Sequence, residues 1–116
     1  MSEFVDVLSV DQVKSGEMKS VIVNGLGVLI ARVGDDYYAA ANTCPHMGAV
    51  LSRGRLEGTV LTCPRHHSQF DLRDGHCIRW TDWKGPIQLF ARLLRSPRPL
   101  TTYPVKVEGG RIHVQA

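Results

Sequence analysis

The chain has 116 residues, 43% of them hydrophobic and 22% charged, with a formal net charge of +3. That length supports one domain, residues 1–116, and the balance of apolar to charged residues excludes a disordered chain. A mild positive charge singles out neither nucleic acid nor an anionic membrane as a partner. Glu3 and Asp6 stand where a signal peptide would be basic, and no long apolar run follows. The expectation is a cytoplasmic protein with no integral membrane anchor. Three cysteines, Cys44, Cys63 and Cys77, make an odd count. In a reducing compartment that favours metal ligation plus one spare thiol over a disulfide framework.

The first forty residues alternate short apolar runs with turn signals, which predicts an all-β domain. Phe4–Leu8 alternates with period two. Ser9 and Gln12 form a capping-box pattern for one helical turn that Gly16 would end. Lys19–Val23 and Val28–Val33 flank Asn24-Gly25-Leu26-Gly27, a hairpin connection, and Gly34-Asp35-Asp36 turns the chain into Tyr37–Ala41. Residues 42–75 change character: they are rich in Cys, His, Pro and Gly, with one short strand predicted at Thr59–Thr62. Arg73-Asp74-Gly75 turns into a strand at His76–Arg79. Within residues 80–100, Pro86 followed by Ile87, Phe90 and Leu94 predicts a short helix near 86–95, stopped by Pro97 and Pro99. Thr101–Val107, Gly109-Gly110 and Arg111–Gln115 read as a final hairpin.

Two loops each offer one sulfur and one nitrogen donor: Cys44-Pro45-His46, and Cys63-Pro64-Arg65-His66, with sixteen residues between His46 and Cys63. Two Cys and two His suit a tetrahedral zinc site, so a structural zinc-binding module is one reading. Zinc fingers usually pair Cys with Cys and His with His, whereas both loops here mix them. The mixed spacing favours a binuclear 2Fe–2S cluster with two cysteines on one iron and two histidines on the other. His66 fits the spacing better than His67.

Cys44-Pro45-His46-Met47-Gly48 and Cys63-Pro64-Arg65-His66-His67-Ser68-Gln69-Phe70-Asp71 resemble the two cluster-binding boxes of the Rieske family. Leu51-Ser52-Arg53-Gly54 and Asp71-Leu72-Arg73-Asp74-Gly75 match its flanks. The resemblance covers about residues 3–79 and 101–115 and is closest to the soluble ferredoxins that feed bacterial oxygenases. It implies three stacked antiparallel sheets with two cluster-binding loops at the tip, and one Rieske-type 2Fe–2S cluster held by Cys44, His46, Cys63 and His66. Imidazoles in place of two thiolates remove negative charge, so an added electron is easier to accept. The implied function is one-electron transfer between a reductase and an acceptor enzyme such as an oxygenase, by a monomer or weak oligomer with no catalytic residues of its own. An accessory or regulatory subunit of a larger oxidoreductase is the rival reading.

Departures from the family pattern carry expectations too. Ala49 and Arg65 occupy the positions of the two extra cysteines that respiratory members join as a disulfide. High-potential members use a Ser and a Tyr hydroxyl to tune the cluster; here the positions are Ser68 and Phe70, so only the serine can donate. His67 replaces a customary glycine and is expected to point outward. Cys77 is expected to be a buried small hydrophobe, and His76 and His113 to be surface or sheet residues. The segment 80–100 is longer than in typical Rieske ferredoxins and carries Lys84, Arg92, Arg95 and Arg98 against Asp82. Three readings of it stand: a helical insertion covering an open sheet edge, a docking element, or a membrane-surface contact through Trp80 and Trp83.

Overall fold

The computed structural model describes residues 3–44, 50–64, 67–79 and 99–116. The predicted helix near 86–95 lies outside the described residues, as do His46, Ala49, Arg65 and His66.

The described residues form three antiparallel sheets. The first joins β1 (Phe4–Ser9), β11 (Arg111–Gln115) and β10 (Val105–Glu108) in that order. The second runs β2 (Met18–Val23), β3 (Leu26–Val33), β4 (Asp36–Ala41) and β9 (Thr102–Tyr103). The third runs β5 (Arg55–Glu57), β6 (Val60–Thr62), β7 (Gln69–Asp71) and β8 (Cys77–Arg79).

Strand β3 explains the stacking. Val28, Leu29, Ile30 and Ala31 are all fully buried, which a strand with one wet face cannot achieve. Val28 and Ile30 join a cluster with Val13, Val23, Ala39, Ile112 and Val114. Leu29 and Ala31 face the other way, into a cluster with Ala40, Leu51, Leu61, Phe70, Leu72 and both Cys44 and Cys63. The period of two along β3 therefore builds two apolar cores. One lies toward the sheet of the termini and the other toward the loops of the two boxes.

Local chemistry sets the connections. Asn24 and Gly25 alone make the first hairpin turn, with φ of 51° and 80°, and Val23 pairs with Leu26. The turn is thus two residues rather than the expected four. Positive φ at both positions matches the strand twist, so Leu26 and Gly27 can extend β3. The Ser9 capping box is present: Asp11 N–H donates to Ser9 Oγ at 3.3 Å and Ser9 N–H to Gln12 Oε1 at 2.8 Å. The turn it opens is a single 3₁₀ turn, Val10–Gln12, ending at Val13 rather than Gly16. Val13 is fully buried, and seating its side chain in the core requires the extended backbone found there.

The expected final hairpin is divided between two sheets. Ala39 pairs with Tyr103 and Ala40 with Thr102, so β9 closes the second sheet, while β10 and β11 belong to the first. Pro104 separates the two strands, since a residue without an N–H cannot carry a ladder through. The strand predicted at Thr59–Thr62 is β6, and β5 and β7 flank it as strands that periodicity left inside the loop region. Within the turn that follows β7, Gly75 (φ 83°) donates to Asp71 O at 2.6 Å and accepts from Leu100 N–H at 2.7 Å. Leu100 is thereby tied to that turn just ahead of β9.

Candidate metal centre

Cys44 follows β4 and Cys63 follows β6, and both are buried, at 2% and 1% exposure. The two side chains share one apolar cluster with Leu51, Leu61 and Phe70. No disulfide joins Cys44, Cys63 or Cys77 to one another.

Each loop is closed at its neck. Thr43 and Val50 form an isolated antiparallel bridge around the first. The second is closed by Cys63 N–H donating to Ser68 O at 2.8 Å. Such closure fixes where a loop begins and ends, so its side chains project from defined positions. Asn42 holds the first neck from beneath. Its Oδ1 accepts from Ser52 N–H at 2.8 Å, its Nδ2 donates to Ser20 Oγ at 3.1 Å, and its carbonyl accepts from Leu51 N–H at 3.1 Å. The residue is 8% exposed, and a buried amide with all these partners rigidifies the loop it serves. Sequence reading passed over Asn42. The available signal was a lone polar side chain between the apolar end of β4 and the first cysteine.

The two necks also touch through Gly54. A methyl added there would collide with the Thr62 carbonyl and lie 3.2 Å from Pro64 Cδ. Only hydrogen fits, so the run after the first box packs backbone to backbone against the start of the second.

Beneath the second box the Asp71 side chain is 4% exposed and bonds Arg73 through its backbone N–H at 2.9 Å and its Nη2 at 2.7 Å. The Arg73 guanidinium, chiefly, holds the Asp71 carboxyl far below its ordinary range against the opposing effect of burial. In the same turn His76 donates its backbone N–H to Asp74 Oδ1 at 2.9 Å, and its Nδ1 lies 2.6 Å from that oxygen. Both bonds lower the Asp74 carboxyl.

Ser68 is fully buried. Phe70 is fully buried in the cysteine-bearing cluster. His67 is exposed with φ of 57°, the left-handed backbone for which a glycine is suited. Cys77 is only half-buried, in β8, and packs against the same core. His76 is exposed, while His113 lies half-buried in β11, as expected of surface and sheet residues. Among the described residues, no three His, Cys, Asp or Glu side chains are grouped to hold a metal ion. His46 and His66, the histidines of the two boxes, lie outside the described residues.

The pattern of the Rieske [2Fe-2S] domain matches residues 3–104. The chain belongs to the Rieske family. Its resident cofactor is accordingly one Rieske-type 2Fe–2S cluster. Two buried, disulfide-free cysteines on adjacent necked loops fit the sulfur half of that ligand set. Among relatives, the ferredoxin component of the naphthalene 1,2-dioxygenase system of Pseudomonas aeruginosa is 30% identical over 112 residues, covering 97% of this chain and 94% of that protein. Among solved structures, the ferredoxin of carbazole 1,9a-dioxygenase from Nocardioides aromaticivorans IC177 superposes with a TM-score of 0.81 at 31% identity, covering 98% of both chains. A ferredoxin in a complex of reduced oxygenase and oxidised ferredoxin in carbazole 1,9a-dioxygenase gives a TM-score of 0.78 at 28% identity, covering 99% of this chain and 94% of that one. Among the described residues no helix is long and apolar enough to cross a membrane.

Proposed function

We propose that the chain is the ferredoxin component of an oxygenase system, carrying one electron at a time from a reductase to the oxygenase, with Cys44, His46, Cys63 and His66 as the cluster ligands. The observation that carries the reading is the pair of buried cysteines on two necked loops, in a chain similar from end to end to such ferredoxins. When bound, the cluster supplies a one-electron redox centre, at a potential raised by its neutral imidazole ligands.

The protein's own residues hold and shield that centre. Cys44 and Cys63 supply thiolates from the apolar interior, where water is excluded. Asn42 and the Cys63–Ser68 backbone bond keep the two loops in register. His46 and His66 complete the set from the loop segments. His67 is a neighbour rather than a ligand: its exposure and its left-handed backbone support this. The chain performs no substrate chemistry of its own in this reading, and three cysteines without a disulfide suit a reducing cytoplasm.

Metal and sulfide analysis with EPR of the reduced protein tests the proposal. The expected result is a red-brown protein with two irons and two sulfides per chain and an electron delivered to an oxygenase component. His66→Ala abolishes the Rieske signal and His67→Ala retains it. A colourless protein binding a single zinc would overturn the assignment.

A further inference from the structure

A cleft of about 310 Å³ opens beside the second loop, lined in part by Arg53, Arg55, Cys63, Pro64 and His67. Among the described residues its charged lining is basic only, with no carboxylate contributing. Arg53 is exposed and makes no ion pair among the described residues. Arg55 Nε lies 2.9 Å from Glu57 Oε1, with both side chains more than two-thirds in solvent, a pairing that water and salt readily exchange. Between the two arginines stands Gly54, where no side chain fits. Two guanidinium groups thus flank bare backbone at the edge of the loop that carries Cys63.

We propose that this cleft receives a redox partner through an acidic protein surface, with Arg53 and Arg55 each taking a carboxylate; the inference rests on the electron-carrier reading above. Charge complementarity identifies the partner's chemistry, because a guanidinium fork matches a carboxylate in two parallel hydrogen bonds. The cleft is open, and Arg53 and Arg55 are solvated, whereas a site for a small ligand buries most of it. An extended acidic surface can engage both arginines at once and is drawn to them before contact. The seating matters because Pro64 and His67 of the loop that carries Cys63 line the same cleft, so a partner held there sits beside the loop of a proposed ligand of the redox centre.

Stopped-flow oxidation of the dithionite-reduced holoprotein tests the proposal with two one-electron oxidants, anionic ferricyanide and cationic hexaammineruthenium(III). Each removes one electron from the reduced protein. Taking the ratio of their rate constants removes most of the effect of any change in potential. In Arg53→Gln/Arg55→Gln the ferricyanide-to-ruthenium ratio is expected to fall about tenfold. The charge-preserving Arg53→Lys/Arg55→Lys should largely keep it, as should Lys106→Gln, which lies on the sheet of the termini. Poly-L-glutamate should slow ferricyanide oxidation of the wild type but not of the double glutamine variant. Unchanged ratios in a variant that retains its cluster absorbance would overturn the docking site alone. Inorganic phosphate competing as well as poly-L-glutamate at equal ionic strength would replace the protein partner with a small anion. A chain that never acquires a reducible cluster would overturn the electron-carrier reading itself.

Discussion

The backbone N–H of Cys63 donates to the carbonyl of Ser68 at 2.8 Å, and both residues are buried while Pro64 and His67 between them are exposed. Pro64 and His67 therefore stand in solvent above a sealed neck. Ser68 is held directly beneath them. A hydroxyl at that place can stabilise the electron-rich reduced state. Ser68→Ala is expected to lower the reduction potential by roughly 40–130 mV, the equivalent of about 1–3 kcal/mol for a hydrogen bond to a charged acceptor. A redox titration with unchanged potential would remove the tuning role from Ser68.

His67 holds a left-handed backbone that costs a non-glycine residue about 1–2 kcal/mol. Glycine adds about 0.4–1 kcal/mol of unfolded-chain entropy in return. His67→Gly should therefore stabilise the holoprotein by up to about 1 kcal/mol, raising the thermal midpoint by a few degrees. His67→Val should lower it, because β-branched side chains tolerate positive φ poorly. The same midpoint in all three proteins would show that the loop relaxes freely.

Asp71 anchors the turn beneath the second box. Its folded-state pKa lies below its unfolded value, so its contribution is present above the ordinary aspartate range, about pH 3.9, and is lost as pH falls through that range toward the folded value. Asp71→Asn should cost about 1–3 kcal/mol near neutral pH, the range for hydrogen bonds to a charged group. The gap between wild type and variant, measured as denaturation midpoints, should stay constant from pH 8 to 5. Below about pH 4 it should narrow. A gap that widens in acid would contradict the assigned direction.

Gly54 faces the Thr62 carbonyl with room for hydrogen only. Gly54→Ala should cost about 1–3 kcal/mol by overpacking and hasten bleaching of the visible absorbance in denaturant, because both loop necks must shift. Gly27→Ala is the control: its methyl would meet Asn42 Cβ at 3.9 Å, an ordinary contact. Equal bleaching rates in the two variants would show that the close approach is not needed.

Those elements whose cause is local were legible in the sequence. Asn24-Gly25 announced a hairpin because both residues accept positive φ, and the Ser9 box announced its turn through its own side chains. The all-β class, the three sheets and the 2Fe–2S cofactor were expected and are found. What escaped was decided at a distance. The three-residue strands β5 and β7 are too short to show a period, and exist because β6 lies between them. Gly54 reads as a loop glycine until the Thr62 carbonyl is placed beside it. Asn42 carries no motif, and its role appears only when Ser20 and Ser52 converge on it. The two cysteines came from the motif alone, and the structure adds that they share one dry cluster.

That dry cluster, backed by the double-sided strand β3 and a further sheet, has a consequence for traffic. Layers of aliphatic side chains insulate, and electron tunnelling through them falls steeply with thickness. In a carrier built this way charge enters and leaves by the same door, beside the two loops. Donor and acceptor would then be rivals for a single berth. The molecule would work as a ferry between them rather than as a wire held at both ends.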